Sequence, residues 1–72
     1  MQQSMMRKAT VYRAQFKRED EQDISVITVE ATSVAQAMVN ATMAINLRET
    51  EKMFSEKECV IVELAGCVWV CE

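Results

Sequence analysis

The feature that most constrains the fold of this chain is a helical segment at residues 33–48, S-V-A-Q-A-M-V-N-A-T-M-A-I-N-L-R. It contains no Gly or Pro, and Ser33 followed by Gln36 gives the S-x-x-Q pattern of a capping box, which satisfies two backbone donors at a helix start. At 100° per residue, one wide stripe is apolar; it comprises Val34, Ala37, Met38, Ala41, Ala44 and Ile45. The sequence therefore predicts an amphipathic helix that lies on a sheet.

Two alternating segments before the helix predict a β-hairpin. Residues 8–17 place Tyr12, Ala14 and Phe16 on one face, and residues 24–31 are rich in β-branched side chains. Ile27 and Val29 are expected to face inward beside Tyr12 and Phe16, because Thr28 and Glu30 then reach water. The polar residues 17–23 between the segments form a loop of moderate length, which suits a hairpin connection.

The C-terminal residues 59–71 are almost continuously apolar, and Ala65-Gly66 is the only turn signal within them. A hairpin at this dipeptide is the preferred interpretation. It would put Val60, Val62, Leu64, Cys67, Trp69 and Cys71 on one face and Ile61, Val68 and Val70 on the other. A strand that runs straight through would instead group Val60, Val62 and Leu64 with Val68 and Val70. Whether residues 49–55 extend the helix stays open.

These elements predict one α+β domain over residues 1–72, with a small antiparallel sheet in ββαβ or ββαββ order and one central helix on one face. Residues 1–6 are expected to be a flexible N-terminal tail. A chain of 72 residues buries only about 60% of its unfolded surface. Small domains of this kind are commonly supplemented by disulfides, a metal or oligomerisation.

A second apolar stripe, on the helix face opposite the first, indicates oligomerisation. Val39, Met43 and Leu47 recur at i, i+4 and i+8, where a helix on a two-layer domain should be polar. Both faces of the C-terminal segment are also apolar, so a second chain is expected to cover one of them. The expected interface, with the protein itself or with a host protein, comprises Val39, Met43, Leu47, Phe54, Ile61, Val68 and Val70. The alternative is that Met53, Phe54 and the C-terminal strands cover the second stripe within one chain.

No catalytic or ligand-binding pattern is present, and we predict neither enzymatic activity nor a cofactor. The chain has no His to serve as a base and no phosphate-binding glycine loop. Cys59, Cys67 and Cys71 follow C-x7-C-x3-C, whereas structural zinc sites use four ligands in close pairs. These cysteines are therefore interpreted as small apolar side chains rather than metal ligands.

Charge is divided along the chain and suggests a second class of function. Residues 1–18 hold five bases and no acid, and residues 19–72 hold three bases and eleven acids. Arg7, Arg13 and Lys17 would line the open face of the first strand, where they could contact nucleic acid. This alternative is weaker than protein interaction, because the chain is acidic as a whole. A further alternative is an acidic DNA mimic that inhibits a nucleic-acid-binding protein.

The stretch V-I-T-V-E-A-T-S-V-A-Q-A-M-V-N-A at residues 26–41 resembles a strand-to-helix pattern of many small bacterial and phage proteins. As a short, Met-rich chain without a catalytic set, the whole looks like a phage or prophage accessory protein. That resemblance implies an inhibitor or modulator of a host protein. Residues 1–10 are polar and lack the apolar region of a signal peptide, so we expect a cytoplasmic protein without a membrane segment.

Overall fold

The fold is a three-stranded antiparallel sheet with one helix packed on it, seen in a computed structural model that describes residues 5–71. Strands β1 (Met6–Phe16) and β2 (Ser25–Glu30) precede helix α1 (Val34–Arg48). A 3₁₀ turn (Glu56–Glu58) then leads into strand β3 (Cys59–Cys71). The strand order is β2-β1-β3, which confirms the predicted α+β class in its ββαβ form. Residues 1–4 of the predicted flexible tail lie outside the described residues, and Met6 already belongs to β1.

The predicted hairpin and its inward face are confirmed. β1 pairs with β2 from Val11 opposite Glu30 to Phe16 opposite Ser25. Ile27 and Val29 pack against the buried core, as expected from the alternation of their segment. That core comprises Ala14, Phe16, Ala41, Ile45 and Phe54.

Helix α1 has its predicted start, although only half of the capping box is formed. The Ser33 hydroxyl accepts a hydrogen bond from the Gln36 backbone N–H at 3.1 Å. The Gln36 side chain donates forward to Asn40 Oδ1 at 2.8 Å instead of returning to Ser33. Asn40 in turn donates from Nδ2 to the Glu30 carbonyl at 2.9 Å, which ties the helix to the end of β2. Of the predicted inner stripe, Val34 is an exception because it is exposed.

The preferred hairpin at Ala65-Gly66 is wrong, since β3 is one strand paired with β1 along its whole length. A β-bulge replaces the turn: Val11 lies opposite Gly66 and Tyr12 lies opposite Leu64, so Ala65 is an extra residue. Gly66 has φ +133°, a conformation that L side chains rarely adopt, and this explains the glycine. Because paired residues point to the same side, the bulge puts Leu64, Cys67 and Trp69 together on the helix side of the sheet.

Residues 49–55 do not extend the helix. The Glu49 backbone N–H closes α1 by donating to the Ile45 carbonyl at 2.8 Å. The chain then turns, and Met53 adopts a left-handed conformation with φ 48°. This turn brings Phe54 back into the core, where its ring centroid lies 5.4 Å from that of Phe16.

The β1–β3 pair is longer than the elements that cover it. At about 3.3 Å per residue the 13 residues of β3 span about 43 Å, whereas the 15 residues of α1 span about 22 Å. The molecule is accordingly elongated, with extents of 54 × 23 × 16 Å. Residues 6–10 of β1 and 67–71 of β3 form a two-stranded ribbon beyond the part of β1 that pairs with β2. Within residues 5–71, no helix combines the length and apolar character that a membrane crossing needs.

Candidate interaction surface

The outer face of α1 carries an uncovered apolar stripe, formed by Val39, Met43 and Leu47. Their exposed fractions are 40%, 64% and 79%. The opposite face of the helix contributes the buried Ala37, Ala41 and Ile45, which accounts for this orientation. α1 has no charged residue before Arg48, so no ionic group interrupts the stripe. We call these three residues the helix stripe.

The loop after α1 does not cover the helix stripe. Phe54 is buried in the core on the other side of the helix, and Met53 is exposed. Asn46 holds this arrangement, because its side-chain amide bonds both the backbone N–H and the carbonyl of Phe54. Phe54 was expected at the interface together with the helix stripe; its place in the core removes it from the candidate surface.

The remaining candidates, Ile61, Val68 and Val70, lie on the side of the sheet away from the helix. The register pairs them with Gln15, Ala9 and Arg7, whose side chains alternate with the inward-facing Ala14 and Phe16. Ile61 and Val68 are exposed and Val70 is half-buried. The structure therefore places the expected interface residues on two opposite sides of the molecule.

A third apolar surface is present on the helix side of the sheet. Leu64 and Trp69 are 65% and 66% exposed, and the exposed Cys67 lies between them on the same side. Leu64 lies just before the two-stranded ribbon and Cys67 and Trp69 lie within it; we call these three residues the ribbon patch. They were not among the expected interface residues. The difference in length between β3 and α1 is the signal that could have identified them, because a helix of about 22 Å cannot cover a strand of about 43 Å.

The two arginines of β1 are paired with carboxylates within the sheet. Arg7 donates from Nη1 and Nη2 to the Glu30 carboxylate at 2.6 and 3.1 Å, and Arg13 donates from Nε to Glu63 Oε1 at 2.9 Å. The Arg7 guanidinium holds the pKa of Glu30 below its ordinary value by hydrogen bonding. Lys17 donates from Nζ to the Arg18 carbonyl at 3.2 Å. Two of the three candidate nucleic-acid contacts are thus neutralised by carboxylates on neighbouring strands.

The three cysteines lie in different environments. Cys67 and Cys71 are exposed, while Cys59 packs against the core, and burial raises the pKa of its thiol. Among the described residues, no three His, Cys, Asp or Glu side chains lie close enough to hold a metal ion.

Surface depressions are shallow and lined by charged side chains. One of about 360 Å³ lies between the end of β1 and the 3₁₀ turn. Within it Arg18 Nε lies 3.6 Å from Glu58 Oε2, so these two charges compensate each other. Its lining residues are Lys17, Arg18, Glu19, Lys57, Glu58 and Val60, a set with no nucleophile beside a base.

Comparison with protein-family models, with curated proteins and with solved structures gives no match for this chain. The helix stripe and the ribbon patch are therefore interpreted from their own geometry and chemistry.

Proposed function

We propose that this chain is a non-enzymatic protein-interaction module that acts as a homodimer. The observation that supports this most is the helix stripe: three apolar side chains on one helix face, of which Met43 and Leu47 are mostly exposed and Val39 is 40% exposed. Surface apolar residues are ordinary when scattered. Three in consecutive turns, together with the ribbon patch, are typical of an interaction site.

The free energy gained by burying the helix stripe is large enough to matter for association. Fully burying one such side chain contributes about 1.5–3 kcal/mol, so the helix stripe contributes about 3–5 kcal/mol per protomer after correction for the area already covered. A symmetric dimer gains this contribution twice. Association costs an estimated 4–15 kcal/mol in lost freedom of motion, so the two contributions together are comparable with this cost, and the ribbon patch adds to them.

Sedimentation equilibrium tests the proposal on the wild type and on the double variant Met43→Asp, Leu47→Asp. We expect a dimeric mass for the wild type and a monomeric mass for the variant, because two carboxylates would have to be desolvated in the interface. A matched control adds the same charge at exposed loop positions through Gln22→Asp and Thr50→Asp. It should remain dimeric. A wild type that stays monomeric at several hundred micromolar would rule out self-association.

The wider role that we propose is binding and modulation of a host or partner protein, as an accessory protein of phage or prophage type would do. Nucleic-acid binding is a weaker proposal, because Arg7 and Arg13 are paired with carboxylates. A fluorescence titration at low salt separates the two, since binding to phosphates must weaken steeply as salt is added.

A further inference from the structure

We propose that the helix stripe of one copy packs on the ribbon patch of a second copy, and that this contact is made twice in a closed dimer. In this arrangement Val39, Met43 and Leu47 of each protomer cover Leu64, Cys67 and Trp69 of the other. The inference rests on the proposed homodimer and specifies which surfaces form it.

A dimer that uses both surfaces and leaves neither exposed favours this pairing over pairing of each surface with its own copy. If the helix stripe paired with its own copy and the ribbon patch paired with its own copy, each chain would have two independent twofold interfaces. Such a chain would form a tetramer or an open chain of copies rather than a dimer. Reciprocal pairing of two different surfaces uses both of them and closes at two copies.

Both surfaces are formed by uncharged side chains and lie in segments without charged residues. α1 carries no charge before Arg48, and β3 carries none from Leu64 to Cys71. Packing one on the other therefore leaves no buried unpaired ion among these positions, which an interface of this kind must avoid. Lys8, which lies opposite Trp69, has a long side chain that can keep its ammonium group in water.

The available area fits a small stable dimer. From the exposed fractions, the helix stripe and the ribbon patch together present on the order of 700 Å² per protomer. A standard interface buries about 800 Å² on each partner. Either surface alone would fall well below that value.

The pairing is tested by chemical cross-linking between an introduced thiol at the helix stripe and the natural thiol of Cys67. The background carries Cys59→Ala and Cys71→Ser, so that Cys67 is its only thiol. Three variants are compared with a short bismaleimide: this background, the background with Met43→Cys, and the background with Met43→Cys and Cys67→Ser. Reciprocal pairing predicts a covalent dimer as the main product of the second variant only.

The other products identify other arrangements. Cross-linking of the first variant indicates that two β3 strands lie together, and cross-linking of the third indicates that two helix stripes do; either result overturns the inference. If the wild type has a dimeric mass and none of the variants is cross-linked, the pairing is wrong and the homodimer stands. A monomeric wild type overturns both.

Trp69 provides a second measurement that needs no substitution, because it is the only tryptophan of the chain. On dilution of the wild type from dimer to monomer, its emission should shift to longer wavelength as the indole becomes exposed to water. The Met43→Asp, Leu47→Asp variant should show the long-wavelength emission at all concentrations. Emission that stays constant while the mass falls by half would show that Trp69 is outside the interface.

Discussion

Two hydrogen bonds join the side-chain amide of Asn46 to the backbone of Phe54. Asn46 Nδ2 donates to the Phe54 carbonyl at 2.8 Å, and the Phe54 backbone N–H donates to Asn46 Oδ1 at 2.6 Å. This pair of bonds folds the loop after α1 back along the helix and delivers the Phe54 ring to the core beside Phe16. These two hydrogen bonds thus hold Phe54 in the core and away from the helix stripe.

Asn46→Ala should lower the free energy of unfolding by about 2–3 kcal/mol, because two partly buried backbone groups lose their partners. Urea denaturation measures the change. Thr42→Ala is the matched control on the same helix, since Thr42 Oγ1 donates only to the Met38 carbonyl, four residues earlier. It should change stability by less than about 1 kcal/mol. Equal effects of the two substitutions would mean that Asn46 does not hold the loop.

Met53→Gly should raise the free energy of unfolding by about 1 kcal/mol. Met53 has φ 48° and an exposed side chain, so glycine relieves the left-handed strain with little loss of packing. Met53→Ala keeps the Cβ atom that causes the strain and should give no such gain. Thermal denaturation of the two variants under the same conditions separates strain from side-chain effects.

Gly66→Ala should destabilise the sheet by about 1–3 kcal/mol through backbone strain alone. Nothing lies within 4 Å of the position that a Cβ would take, but φ is +133°. Hydrogen exchange should accelerate first at residues 67–71, which follow the bulge. The neighbouring Ala65→Gly substitution introduces no such strain and serves as the control; an equal acceleration in both would contradict this explanation.

Glu30 should contribute to the acid sensitivity of the fold. Hydrogen bonding by Arg7 lowers the pKa of Glu30 in the folded state, so its stabilising contribution is present above the unfolded value of about 4.5. That contribution is lost as pH falls through the lower folded value. The stabilities of the wild type and Glu30→Gln should therefore differ at neutral pH and converge in acid. The carboxyl ¹³C shift of Glu30 gives the pKa directly, and a value at or above 4.5 would contradict the prediction.

The regular elements could be predicted from the sequence because periodicity reports burial directly. The alternation of residues 24–31 identified Ile27 and Val29 as inward-facing, and the 3.6-residue period separated Ala41 and Ile45 from the helix stripe. Irregular segments have no period. Nothing in the charged stretch around Met53 and Phe54 distinguishes a core ring from a surface one until the contact with Asn46, eight residues earlier, is known.

Ala65-Gly66 shows a different limit. A hairpin turn and a β-bulge can both require a residue with positive φ, so the glycine by itself indicates either. Because the bulge shifts the alternation of β3, Val62, Leu64, Cys67 and Trp69 share the face expected of the hairpin in a strand that does not turn. The ribbon patch followed from that grouping, but its exposure depends on the unequal lengths of β3 and α1.

The extra residue at Ala65 has a consequence for how this surface can change over generations. Loss of that single codon would remove only the unpaired residue, so Cys67 and Trp69 would stay opposite Thr10 and Lys8 and remain on the helix side. A slip of the register that paired Ala65 with Val11 would instead bring Val68 and Val70 to the helix side and move Trp69 to the back. The ribbon patch can therefore survive deletion of the bulge residue, whereas a one-residue slip would replace it by another set of contacts while the core around Phe16 and Ile45 stays intact.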